Sequence, residues 1–141
     1  MLTNKNLILS RTGFSGMQHL YRVGNWGLSV VNGSNLHSYP FAWEAAVILF
    51  EEGGTEKFIL IYDTPLTSDV EVFMSDKETN EFLKTAFEFF TENPISKEDA
   101  ANRCETVTRQ RRETMDRLLN DFRRNKSLSG KDNSDKGTQK P

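Results

Sequence analysis

The chain of 141 residues is poor in the residue types on which most site chemistry depends. A single cysteine, Cys104, allows no disulfide within the chain, and it excludes a zinc site built on cysteines, which needs several thiolates. The two histidines, His19 and His37, stand in no HxH or HExxH spacing and beside no cysteine, so no metal motif is written here; they read as one strand histidine and one loop histidine. Neither GxGxxG nor GxxxxGK[ST] occurs, which removes the glycine-rich phosphate loops. Apolar runs are short. The patch around Leu7 to Leu9 is too brief for the core of a signal peptide, and no run approaches the roughly 20 apolar residues of a bilayer span. No membrane association and no cofactor are expected, and the expected compartment is the cytoplasm, where a lone thiol stays reduced.

What is present fits one ordinary domain with appendages, long enough to bury a core without disulfides or a structural metal. The net charge of -2 conceals a marked polarity. Residues 1–41 carry three basic and no acidic side chains, residues 42–102 fourteen acidic against four basic, and residues 103–141 eleven basic against six acidic. Such polarity can steer partners or favour self-association, although two solvated faces account for it more simply.

Hydrophobic patterning places the elements. Residues 18–23 and 26–32 are strand-prone and separated by Gly24 and Asn25, a hairpin signal because both residue types tolerate positive φ. After a turn-rich connection over 33–41 that contains Pro40, residues 43–50 (WEAAVILF) read as a central strand and 57–62 (KFILIY) as the next. Residues 70–74 predict a short further strand with Val70, Val72 and Met74 on one face. Ser75 and Glu78 have capping-box spacing, so a helix is predicted over 76–92, with Phe82, Leu83, Ala86, Phe87 and Phe90 on its apolar stripe. Asn93 and Pro94 end it.

A second cap at Ser96 opens a long polar helix over 97–124 with a thin stripe through Cys104, Met115, Leu118 and Phe122, a pattern suited to pairing with another copy or a partner. The fold class expected is therefore α+β: an antiparallel meander of four or five strands packed by one helix, then a long C-terminal helix. Residues 1–17 form a lead, 18–92 the core domain, 93–124 the long helix, and 125–141 a disordered tail.

Few side chains converge on a reaction. Cys104 lies on the apolar stripe and reads as a packed residue rather than a nucleophile. Asp63 and Asp69 flank a loop (DTPLTSD) and could pair as carboxylates or hold a divalent cation, though aspartates at such positions more often cap their own turn. Arg103, Arg109 and Arg112 belong to a basic helical series that could hold phosphates, yet Glu105, Glu113, Asp116 and Asp121 are interleaved at pairing distance. No catalytic group and no metal site is expected.

Three stretches, GLSVV at 27–31, WEAAV at 43–47 and above all YDTPLTSDV at 62–70, resemble a family of small phage-encoded accessory proteins over roughly residues 20–90. Family members carry Gly-Gly in the loop after the second strand and Gly-Tyr after the final valine, where this chain has HSYP at 37–40 and EVF at 71–73. The resemblance implies a non-enzymatic protein, of a type that disables a host function or defence. It would act in oligomeric form by sequestering a small nucleotide signal or by inhibiting a host protein. On that reading Phe82 would supply stacking, Arg103, Arg109 and Arg112 phosphate contacts, and Asp63, Asp69, His37 and Tyr39 loop contacts. Another class of function remains open: a regulator that binds nucleic acid through the basic helix.

Overall fold

The computed structural model describes residues 1–13, 16–33, 42–51, 57–67 and 69–138. Five strands follow one another as an antiparallel meander: β1 (Leu7–Gly13), β2 (Gly16–Val23), β3 (Trp26–Gly33), β4 (Trp43–Phe50) and β5 (Phe58–Leu60). A sixth strand, β6 (Glu71–Phe73), pairs with β4 and not with β5. The helices α1 (Asp76–Glu92) and α2 (Lys97–Thr138) complete the order. The class is α+β, as expected. The lead over 1–17 is corrected: it contains β1, which pairs with β2 through Ser10↔His19 and Gly13↔Gly16.

Residues 1–104 form one compact unit and 105–141 another. The helix runs past the expected end at 124, where a disordered tail was expected, to Thr138. Apolar content fades in that stretch, but no proline before Pro141 compels a stop.

The Gly24 and Asn25 turn closes on the pair Val23↔Trp26. Gly24 alone takes positive φ, +63°, which suits a turn whose first central residue is left-handed. Small residues in β3 then shape one face of the sheet. Leu20 of β2, Ile48 and Phe50 of β4 form a buried cluster there, and Leu9, Phe58 and Leu60 from the flanking strands pack on it. The side chains of β2 and β4 can meet across β3 because Gly27 leaves the space: a Cβ there would lie 2.5 Å from the Phe50 ring and 2.3 Å from the Tyr21 carbonyl oxygen.

The opposite face carries α1. Ser75 accepts the Glu78 N–H (3.2 Å), while the Glu78 carboxylate reaches back to the Met74 N–H (3.4 Å), one residue before the position a standard capping box would use. Thr79, Leu83, Ala86, Phe87 and Phe90 are the buried stripe. Phe87 meets Tyr21 with ring centroids 5.6 Å apart, and Phe90 stacks on Trp26 at 5.5 Å. Each such buried side chain contributes about 1.5–3 kcal/mol relative to exposure. Val72 and Met74 share one face of β6 and are exposed on it, while Phe73, opposite Trp43, turns toward α1. Its ring lies 5.0 Å from Phe82, so contact with the helix sets the register, and the alternation of apolar residues does not.

Candidate functional site

The residues singled out from sequence do not form one site. Arg103, on the first turns of α2, pairs with Asp63 and sits 5.5 Å from the Trp26 ring. Trp26 itself donates its indole N–H to the Asn93 carbonyl, and Asn25 donates to the Ile95 carbonyl, both at 2.9 Å. These contacts tie the α1–α2 connection to the β2–β3 hairpin. Asp69 accepts the N–H of Val70 (2.8 Å), the turn-capping role open to an aspartate in such a loop. Phe82 is half-buried against Phe73 above an open groove lined also by Glu78, Glu81 and Thr85. Arg109 and Arg112 are exposed on α2. His37 and Tyr39 lie outside the described residues.

A grouping not anticipated from sequence surrounds His19. Its Nδ1 stands 2.6 Å from Ser10 Oγ, and its ring lies 5.3 Å from Trp43. Burial holds the imidazole below its ordinary pKa, which favours the neutral ring, whose unprotonated nitrogen can accept a hydrogen bond from the serine hydroxyl. His19, Tyr21, Trp43 and Asp76 line one cavity of about 230 Å3. Proximity of serine, histidine and carboxylate raises the question of a catalytic triad, and the bonding of Asp76 answers it. The Asp76 carboxylate takes the Trp43 indole N–H (2.7 Å) on one oxygen and pairs with the Met1 ammonium on the other. The ammonium first and the indole second hold it below the usual carboxylate range. Its recorded partners are thus the indole and the ammonium, whereas a triad requires the carboxylate to orient the imidazole. The only sequence signal for this grouping was the β1–β2 register, which places Ser10 opposite His19 once β1 is recognised.

A wider cleft of about 550 Å3 lies where the N-terminal segment meets α1. Thr3 donates its N–H to Asn80, Asn80 donates to the Met1 carbonyl, and the Tyr21 hydroxyl donates to the Thr3 carbonyl, fixing that wall. Asn6, also in the lining, holds a left-handed φ of +63°. The rim mixes Lys5 and Lys84 with Glu88 and Glu92. A phosphate would meet repulsion as well as attraction here. Burial first, and the Glu51 carboxylate second, push the Cys104 thiol up to about 11, which disfavours the thiolate. Among the described residues no cluster of three or more His, Cys, Asp or Glu could hold a metal. No helix among the described residues is long and apolar enough to cross a membrane.

The surface of α2 beyond Cys104 is of another kind. Every residue from Thr108 to Leu128 is exposed, including Met115 at 54 %, Leu118 at 59 %, Leu119 at 42 % and Phe122 at 62 %. These four follow spacings of three and four, so they share one helical face. Seven basic residues and four acidic ones occupy 105–128. Scattered exposed apolar residues are ordinary, but a contiguous helical face of them, phenylalanine included, is the kind of surface that contacts a partner. The described residues thus form a six-stranded α+β unit joined to a basic helix with an open apolar face. Comparison with family models, curated proteins and solved structures finds no match to this chain.

Proposed function

We propose that this is a non-enzymatic accessory protein of the phage type that acts in the cytoplasm by binding, with α2 as its contact element. The observation that supports this reading most is the open apolar face of α2, Met115, Leu118, Leu119 and Phe122, set among arginines. Between the two forms of the proposal, the arrangement favours inhibition of a host protein over sequestration of a nucleotide. Arg103 and Phe82, candidates for phosphate and base contacts, are engaged with Asp63 and Phe73, while an apolar helical face suits a protein groove. Immobilised protein should retain a host protein that the Leu118→Asp/Phe122→Asp variant does not retain. A rise in melting temperature with an added nucleotide, unchanged in that variant, would instead transfer the function to the α+β unit.

A second reading is supported by the exposed basic side chains Arg109, Arg112, Arg117, Arg123 and Arg124. They suit a nucleic-acid phosphate backbone, and the reading requires binding that falls steeply with salt. Fluorescence anisotropy with labelled DNA and RNA at low and moderate salt tests it; absence of binding at low salt removes it.

A further inference from the structure

We propose that α2 pairs in parallel with α2 of a second copy over residues 115–128. The inference rests on the reading of α2 as a contact element and names what covers its apolar face in the protein alone: a second copy, which a host protein would displace. Met115 and Phe122 are seven residues apart, and Leu118 and Asn125 are likewise seven apart, so the two pairs occupy the first and fourth positions of a heptad. Leu119 and Leu128 flank that seam, and every other residue between 115 and 128 is polar or charged. The apolar face is therefore a narrow strip of the width a helix of the same kind covers.

Charge selects both the occupant and the direction. In a parallel pair, side chains flanking the seam meet five residues apart, which sets Asp121 of each copy against Lys126 of the other. Asn125 then faces Asn125, and two carboxamides can hydrogen-bond to one another. The antiparallel arrangement that packs Leu118 on Phe122 brings Asp121 toward Asp121 and Arg112 toward Lys126, and both encounters are repulsive. Arg111 occupies a seam position one turn before Met115, where two guanidinium groups would meet in a parallel pair, so the pairing begins after it. The contact is short, and the association it supports is reversible and dependent on concentration.

The test uses the full chain. Sedimentation equilibrium should show mass rising with concentration from 16.2 kDa toward twice that value. Leu118→Asp and Phe122→Asp, both at exposed positions, should hold the chain at the monomer mass with an unchanged circular dichroism spectrum. Asp121→Lys should weaken dimerisation at least tenfold, and adding Lys126→Asp should restore it. Asn125→Cys should give a disulfide-linked dimer under mild oxidation, since only the parallel register opposes residue 125 to itself. A monomer at every concentration, or a dimer that Asn125→Cys does not cross-link, overturns the proposal. If the monomer still retains a host protein through Leu118 and Phe122, a second copy is the wrong occupant but α2 keeps its role as a contact element. If it retains none, that role falls too.

Discussion

Gly27 shows how one missing side chain organises a sheet face. It lies in β3 between the larger residues of β2 and β4, and a methyl group there would press on the Tyr21 carbonyl and the Phe50 ring. Gly27→Ala should lower stability by about 1–3 kcal/mol, the range for overpacking a core, measured by urea unfolding. His19 carries a different prediction. Burial lowers its pKa in the folded state from the ordinary 6.5, so the unfolded chain binds a proton first as pH falls. The contribution is whole above pH 6.5 and is lost progressively below it. Unfolding midpoints of the wild type and His19→Gln should therefore converge as pH falls below 6.5, and a constant difference would refute the assignment. Neither role could be read from the chain alone: Gly27 needed the register of three strands, and Ser10 had no reason to face His19 until β1 was seen as a strand.

The elements that carry their own boundary signals were the legible ones. Helix α1 begins and ends where Ser75, Glu78 and Asn93 say it should, because capping is local chemistry between residues three or four apart. Ser75→Ala should cost about 0.5–2 kcal/mol, seen as a lowered midpoint in thermal unfolding monitored by circular dichroism. Strand β1 was missed because half of LILSRTG is polar, as befits a strand paired on one side only. Which face of β6 turns inward was not legible for a related reason. In three residues there is too little alternation to outweigh the pull of Phe82 and the register with Trp43. The contact between Arg103 and Asp63, forty residues apart in the chain, depends on where the α1–α2 connection is tied down, and no local pattern encodes that.

At the scale of the whole molecule, residues 1–104 hold eight basic against fourteen acidic side chains, and 105–141 ten against six. The charge boundary read from the sequence at 102/103 thus falls within two residues of the division into two compact units. Strand β3 is paired on both sides within the first unit. Its amides should be the last to exchange in native-state hydrogen exchange, after those of β1, β5 and β6, and early exchange along β3 would contradict the topology. The arrangement around β4 has a further effect. Phe58–Leu60 takes one half of its outer edge and Glu71–Phe73 the other, so two short segments cover what would be a long row of free amides and carbonyls. On the far side of the sheet, β1 is kinked by a register shift between Leu7 and Leu9. Both borders are thereby poor templates for strand addition, which guards the protein against stacking into fibres through its sheet.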